Sequence, residues 1–236
     1  MAPLNNLIPE TAVTGLPFVF RSVNHMRKVM DGTIGDEILK AFEAHGMVGL
    51  AFYDSGARSI YNSKRPVTKL EDLKGLKIRV QQSDLFIALI NALGANATPM
   101  PFGEVYSGLQ TGVIDGAENN WPSYESTRHF EVAKHYSMTE HSMTPEVLVM
   151  SKKTWDKIPA ADQEIIRKAA KESVIKMREL WEAREKASEK LVTEKGAQIT
   201  KVDKGPFITA MKPVYEKFVT TPSQKALLEK IQAVAD

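Results

Sequence analysis

The sequence predicts an α/β fold with mostly parallel sheets. Between residues 50 and 120, short apolar runs alternate with short helical segments. Strands that alternate with helices in this way usually pair in parallel through right-handed crossovers. The chain has 236 residues, of which 43% are apolar and 25% charged, which is ordinary for a globular protein. It is therefore long enough for one large or two modest domains with a sizeable core.

Strands are expected where a short apolar or β-branched run lies next to a turn-forming residue. In the first half of the chain these runs are residues 50–53, 76–80, 95–100 and 113–117. Because each run is short and ends close to a glycine or a polar residue, we interpret them as strands, of which residues 50–53 are expected to be buried.

The helices between these strands have recognisable ends. Thr68 and Glu71 have the spacing of a capping box, which predicts a one-turn helix there. Ser83 is the predicted N-cap of a helix over residues 84–93, and a short helix over 103–111 is expected to end at Gly112.

The second half of the chain contains a long extended stretch and a long helix. Residues 135–151 carry Pro145 and no helical period, so they could run from one sheet into another. Apolar residues then recur at helical spacing from Pro159 to about Lys195. A helix of this length measures roughly 50 Å, which favours one helix spanning two lobes over a coiled coil. A strand at 197–202 and two further helical segments complete the prediction.

Composition excludes several classes of protein. The net charge of +2 and the scattered lysines give no electrostatic case for binding nucleic acid. The absence of cysteine excludes disulfides, thiolate metal sites and cysteine nucleophiles. No run of about 18 apolar residues predicts a membrane span.

Arg79 is the most informative candidate for ligand binding. It lies inside a predicted strand, between Ile78 and Val80, and a helix begins shortly after it. In open α/β sheets, ligands bind at the carboxyl ends of the strands, where a guanidinium offers a rigid fork for a carboxylate or phosphate. The alternative is an arginine in solvent on an edge strand.

Four more polar residues follow predicted strands. Asn119 and Asn120 could bind a ligand that carries both a carboxylate and hydroxyls, or could be turn residues. Arg58 could be a second basic contact or a surface loop residue. Glu118 could orient a neighbouring arginine or be solvated.

The sequence contains no recognisable catalytic or metal-binding motif. The five histidines do not have the spacing of a zinc pair, and no phosphate-binding loop or nucleophile elbow is present. Glu140, His141 and Ser142 are consecutive in an extended stretch, so they point to alternating faces and cannot form a triad by themselves. We expect no enzyme, cofactor or metal. The rival is a hydrolase or isomerase of organic acids, for which Glu118 or His141 could be the general base.

Two strings resemble a known family, the substrate-binding proteins of tripartite ATP-independent periplasmic (TRAP) transporters. They are DLKGLKIRV at residues 72–80 and PFGEVYSGLQTGVIDGAEN at residues 101–119. Thr139-Glu140-His141 and the long helix follow in the family's order, and the similarity covers nearly the whole chain.

The resemblance implies which residues bind the ligand. Arg79 matches the family's carboxylate-pairing arginine, and Arg58 a second basic contact. Asn119 matches a polar contact, Phe102 an aromatic wall, and His141 a position close to the ligand. With Asn120 and Glu118, these residues are our predicted binding site.

The resemblance also implies a two-lobed clamp that closes on a small organic acid and delivers it to membrane permease subunits in the periplasm. We assign residues 1–55 and 145–184 to lobe one, 56–144 to lobe two, and 185–236 to the end of the long helix and the return to lobe two. The start of the chain lacks the basic and apolar regions of an export signal, so we expect an incomplete first lobe. A sugar acid such as a hexuronate is the favoured ligand, and a C4-dicarboxylate or another 2-hydroxy or 2-oxo acid is the alternative.

Overall fold

A computed structural model describes residues 1–235 of the chain. Its central feature is a six-stranded sheet in the order β4-β3-β5-β2-β6-β8, and a separate two-stranded sheet pairs β1 with β7. The strands are β1 (Met47–Tyr53), β2 (Arg58–Asn62), β3 (Lys77–Val80), β4 (Asn96–Pro99), β5 (Gly116–Asn119), β6 (His135–Ser142), β7 (Glu146–Ser151) and β8 (Gln198–Lys201).

The six-stranded sheet is mixed, and three of its five pairings are parallel. Strand β3 pairs in parallel with β4 and β5, and β6 pairs in parallel with β8. Strand β2 lies antiparallel between β5 and β6. The predicted α/β class with a mostly parallel sheet is therefore confirmed. The antiparallel insertion of β2 was not predicted, and it determines the geometry of the site.

The extended stretch predicted at residues 135–151 does run from one sheet into the other. Its first part is β6 of the six-stranded sheet, and its second part is β7 of the two-stranded sheet. Pro145 lies between them, where the backbone makes no ladder hydrogen bonds.

Twelve α-helices surround the sheets in the described part of the chain. They are α1 (Pro9–Gly15), α2 (Val23–Asp31), α3 (Thr33–Ala41), α4 (Asp84–Ala92), α5 (Val105–Thr111), α6 (Trp121–Ser126), α7 (His129–Val132), α8 (Lys152–Trp155), α9 (Ala160–Glu194), α10 (Gly205–Ala210), α11 (Lys212–Phe218) and α12 (Pro222–Ala233). None of those within residues 1–235 is long and apolar enough to cross a bilayer.

The long helix α9 packs on both sheets, as the sequence predicted. Ala170 and Val174 lie in a hydrophobic cluster with Val48 and Leu50 of β1. Near the other end of the helix, Val192 lies in a different cluster, with residues of the six-stranded sheet. A single rigid element therefore connects the two sheets.

A third and larger hydrophobic cluster contains residues on both sides of position 55, where the sequence analysis placed a boundary between lobes. It contains Phe52 of β1 together with Ile60 of β2 and Ile78 of β3, as well as residues from α1 to α4 and from α10 to α12. The division into lobes at residues 55, 144 and 184 stays a prediction.

Two predicted helix caps differ from those observed. The first short helix is a 3-10 helix, Leu70–Leu73, and the carboxylate that caps it belongs to Asp72, not Glu71. Asp72 Oδ2 accepts hydrogen bonds from the backbone N–H groups of Thr68 and Lys69 at 2.9 and 3.1 Å. Ser83 is the N-cap of α4 as predicted, but its hydroxyl makes no capping hydrogen bond.

Candidate ligand-binding site

Arg79 lies near the carboxyl end of β3, the second strand from one edge of the six-stranded sheet, and only 4% of the residue is exposed. Its Nε and Nη2 both donate to the carbonyl oxygen of Met100, at 2.9 and 2.7 Å. This pair of bonds fixes the plane of the guanidinium. Only two of its five N–H groups are used, and Nη1 has no hydrogen bond within residues 1–235.

Phe102 covers one side of this guanidinium. Its ring centroid lies 5.6 Å from Arg79 Cζ, a cation–π distance, and the residue is 45% exposed. His129 packs edge-on against the same ring. Burial, followed by the charge of Arg79, lowers the pKa of His129 to about 4, so the imidazole is neutral and adds no charge.

Arg58 begins β2 and is held by the neighbouring strand β5. Its Nε donates to Glu118 Oε2 at 2.6 Å, and its Nη2 donates to Glu118 Oε1 at 2.8 Å and to the Glu118 carbonyl oxygen at 2.9 Å. Nη1 donates to Asn119 Oδ1 at 2.9 Å. These contacts follow from the antiparallel β2–β5 pairing, which places Ser59 opposite Asn119. One N–H group of Arg58 is left, on Nη1.

Glu118 is fully buried beneath Arg58. Burial alone would raise its pKa, but the charge of Arg58 and hydrogen bonds from His141 and Arg58 outweigh burial and hold the pKa at about 2. Glu118 is therefore ionised at neutral pH. His141 is also fully buried, with Nε2 at 3.4 Å from Glu118 Oε2 and Nδ1 at 2.8 Å from the Thr139 hydroxyl.

The two asparagines at the end of β5 have different roles. Asn119 Oδ1 accepts from Arg58 and from the backbone N–H of Asn120 at 2.9 Å, which leaves Nδ2 without a partner in the described part of the chain. Asn120 is the N-cap of α6: its Oδ1 accepts from Ser123 N, and its Nδ2 donates to the Ser55 carbonyl oxygen at 2.8 Å. The amide of Asn120 is thus committed to the fold.

A cavity of about 510 Å³ lies over these residues. Five of the seven predicted residues line it: Arg58, Arg79, Phe102, Asn119 and Asn120. Glu118 and His141 do not line it, because both are fully buried. Glu118 bonds to the guanidinium of Arg58, and His141 in turn lies next to Glu118.

The sequence interpretation missed several residues that line the cavity, which are Pro3, Ser55, Gln81, Gln82, Met100, Pro101, Ser123 and Glu146. A signal was present for Gln81, because side chains alternate along an extended chain and Gln81 lies two residues after Arg79. Ser55 follows β1 and Glu146 begins β7, which are the two strands of the smaller sheet. Nothing in the local sequence of either residue connects it to Arg79.

The floor of the cavity carries one uncompensated positive charge. The guanidinium groups of Arg58 and Arg79 contribute two positive charges, and ionised Glu118 removes one. The carboxylate of Glu146, which also lines the cavity, pairs with the N-terminal ammonium of Met1 at 2.7 Å. Burial lowers the pKa of Arg79, but a guanidinium remains protonated at any physiological pH. The arrangement therefore suits a small monoanion with hydrogen-bonding groups. No group of three or more His, Asp or Glu side chains within residues 1–235 could hold a metal ion.

Comparison with known proteins shows the family. Residues 1–221 match the DctP family, described as bacterial extracellular solute-binding protein, family 7. The chain belongs to this family. The expectation drawn from the sequence resemblance is confirmed.

Solved structures of TRAP periplasmic solute-binding proteins superpose closely on this family 7 protein. One from Bradyrhizobium sp. BTAi1, in complex with α/β-D-galacturonate, is 61% identical with a TM-score of 0.97, over 99% of this chain and 78% of the other. One from Xanthobacter autotrophicus Py2, with bound β-D-galacturonate, is 54% identical with the same TM-score and coverage. One from Chromohalobacter salexigens, with bound D-glucuronate, is 43% identical with a TM-score of 0.96, over 98% and 77% of the chains.

These matches bear on the class of activity. The family and its solved members are solute-binding proteins rather than enzymes, and the family is extracellular.

Proposed function

We propose that this chain is the periplasmic solute-binding component of a TRAP transporter and that it captures a hexuronate, with D-galacturonate as the favoured ligand. The observation that carries the proposal is the buried guanidinium of Arg79, whose three remaining N–H groups are available at a cavity with one net positive charge. The two neighbours of 61% and 54% identity hold galacturonate, and that of 43% identity holds glucuronate, which supports the order of preference.

Binding begins with capture of the carboxylate. Arg79 pairs with it through Nη1, where a charge-assisted hydrogen bond contributes about 1.5–3 kcal/mol. Arg58 adds its one remaining N–H, and Asn119 offers Nδ2 to the second carboxylate oxygen or to a hydroxyl. Two such contacts fall short of the roughly 8 kcal/mol that micromolar affinity requires, so the sugar hydroxyls and the preformed cavity contribute the remainder.

Closure of the two lobes completes the site. Phe102 excludes water from one side of Arg79, and removal of solvent strengthens each polar contact. The closed, loaded protein then delivers its ligand to the membrane permease subunits of the transporter.

A C4-dicarboxylate is the alternative ligand. It would need a second cationic group with free donors, yet four of the five N–H groups of Arg58 already bond to Glu118 and Asn119. This allocation favours a ligand with one carboxylate and several hydroxyls.

A thermal-shift screen tests the proposal, because a ligand that binds only the folded state raises Tm by mass action. The panel is D-galacturonate, D-glucuronate, succinate and D-galactose, which has a hydroxymethyl group in place of the carboxylate of galacturonate. We expect galacturonate to give the largest shift, galactose none, and Arg79→Ala to reduce the response to galacturonate strongly. A larger shift with succinate would assign the protein to dicarboxylates. If NMR showed that the protein converts galacturonate to a product, the protein would be an enzyme.

A further inference from the structure

Gln81 is the first residue after β3 and lies two residues beyond Arg79. In an extended chain, residues two apart point to the same side, at a spacing of about 6.6 Å. Val80, between them, is fully buried in the hydrophobic core, and Arg79 and Gln81 both line the cavity. The strand therefore places an arginine and a glutamine side by side along one wall.

The side-chain amide of Gln81 is not satisfied by the protein. Its Nε2 is shielded from solvent and has no hydrogen-bond partner within residues 1–235. The backbone of the same residue is fixed, because its carbonyl oxygen accepts from Ser83 N at 2.8 Å in the turn that leads to α4. A buried donor without an acceptor destabilises a protein, and a bound ligand with an oxygen at this place would remove that cost.

The other polar groups of the cavity leave few donors for a ligand. Asn120 uses its amide within the fold, and Arg58 keeps one N–H group. The donors that remain are three N–H groups of Arg79, one of Arg58, Asn119 Nδ2 and Gln81 Nε2. Gln82, which is exposed, also lines the cavity. A charged donor suits a carboxylate, whereas a neutral amide suits a hydroxyl oxygen.

We propose that Gln81 is a specificity-determining residue that donates a hydrogen bond to one sugar hydroxyl, on the part of the ring away from the carboxylate held by Arg79. This inference rests on the proposed function. It explains how the cavity prefers a polyhydroxylated acid: an acid without that hydroxyl leaves the Gln81 amide buried and unpaired, and such a site rejects the analogue.

The test is isothermal titration of D-galacturonate into Gln81→Leu, with Gln82→Leu as the matched control. Gln82 is the adjacent residue of the same type, but its side chain is exposed at the cavity. We expect Gln81→Leu to weaken binding about tenfold and Gln82→Leu to weaken it less. An equal or larger loss with Gln82→Leu would overturn the assignment.

A series of monodeoxygalacturonates identifies the hydroxyl and separates recognition from a structural effect. If Gln81 donates to one hydroxyl, removing that hydroxyl weakens binding by the wild type but costs Gln81→Leu almost nothing, and the other deoxy positions cost both proteins equally. A uniform loss at every position would contradict the proposal. Should Gln81→Leu not fold, Gln81→Met keeps a side chain of similar length without a donor or a charge, and must show the same loss.

The outcomes also distinguish this inference from the proposed function. A wild-type protein that binds no hexuronate overturns both. A wild-type protein that binds galacturonate, with Gln81→Leu binding equally well, overturns the role of Gln81 alone.

Discussion

Arg58 and Arg79 carry the same side chain but differ in what surrounds it. Arg58 is enclosed by Glu118 and Asn119, which accept four of its hydrogen bonds. Arg79 makes its two hydrogen bonds to one backbone oxygen and, among residues 1–235, has no carboxylate partner at hydrogen-bonding distance. We infer that Arg58 mainly maintains the floor of the site and that Arg79 mainly binds the ligand.

Arg79→Ala therefore acts on affinity. We expect it to weaken galacturonate binding by about 10- to 150-fold, which corresponds to the loss of one charge-assisted hydrogen bond of about 1.5–3 kcal/mol. Isothermal titration measures this change. An unchanged Kd would remove Arg79 from the site.

Arg58→Ala acts on stability instead, because it leaves the ionised carboxylate of Glu118 buried without its main partner. Breaking a buried pair in this way costs about 3–5 kcal/mol. Urea unfolding of Arg58→Ala and of the double variant Arg58→Ala with Glu118→Ala checks the reason. The double variant should lose less than the sum of the two single variants, and additive losses would count against the pair.

At the scale of single elements, the sequence predicted the elements whose ends are marked by local chemistry. Strand β3, helix α4 and helix α5 have clear caps or stops, and α9 has a long apolar period. Helices α1 to α3 were not predicted. Their buried apolar residues lie in one cluster with residues of α4 and α12, which are distant in sequence. A local signal did exist for α2, where Ser22 Oγ accepts from His25 N.

Strand β5 shows why an apolar run alone misplaces an element. The predicted run began at Val113, which is 57% exposed, whereas the strand begins at Gly116. A glycine is required there because a Cβ would lie 2.4 Å from the Tyr61 carbonyl oxygen of the adjacent strand β2. That neighbour is defined only by the tertiary pairing of β2 with β5.

Gly116→Ala should consequently destabilise the fold, by about 1–3 kcal/mol for a backbone shift in a packed region. Gly103→Ala is the matched control, because a Cβ there meets nothing within 4 Å. Chemical denaturation of both variants gives the comparison. Equal stabilities of Gly116→Ala and the wild type would mean that β5 and β2 lie further apart than described.

Glu185 of α9 makes stability depend on pH. Burial, followed by the nearby charge of Asp54, raises its pKa from the ordinary 4.5 to about 7, while Arg27 opposes the shift. Since the folded-state pKa is raised, the folded protein holds this proton more tightly than the unfolded chain. The stability that protonated Glu185 contributes is present at low pH and is lost as pH rises from about 4.5 through 7.

Replacement by a neutral residue should therefore stabilise the protein only at higher pH. We expect Glu185→Gln to have a higher Tm than the wild type above pH 7 and the same Tm near pH 4.5. Melting curves between these values measure the difference, with exposed Glu189→Gln of the same helix as the control. A Tm difference that does not change with pH would contradict the assignment.

On the scale of the whole molecule, the six-stranded and two-stranded sheets are connected at three places. These are the segment between β1 and β2, the segment between β6 and β7, and helix α9. Asp54, on the first segment and 4% exposed, accepts hydrogen bonds from Arg27 of α2 at 2.7 Å and from Arg178 of α9 at 3.1 Å. The segment between β1 and β2 is thus bonded to two helices at a point where motion between the sheets would have to occur.

The sequence identified five of the residues that line the cavity but not the contacts they make. The family resemblance supplied Arg79, Arg58, Asn119 and Phe102, which all line the cavity. The burial of Glu118 below Arg58 depends on the antiparallel pairing of β2 with β5. The side-chain amide of Asn120 is used within the fold because it donates to the carbonyl oxygen of Ser55. Neither relation is local in the sequence.

The most direct test is the comparison of D-galacturonate with D-galactose by isothermal titration, since the two sugars differ only at C6, where galactose has a hydroxymethyl group in place of the carboxylate that Arg79 is proposed to hold. We expect micromolar or tighter binding of galacturonate and no measurable binding of galactose. Equal affinities for the two sugars, or an unchanged Kd for galacturonate in Arg79→Ala, would contradict the proposal.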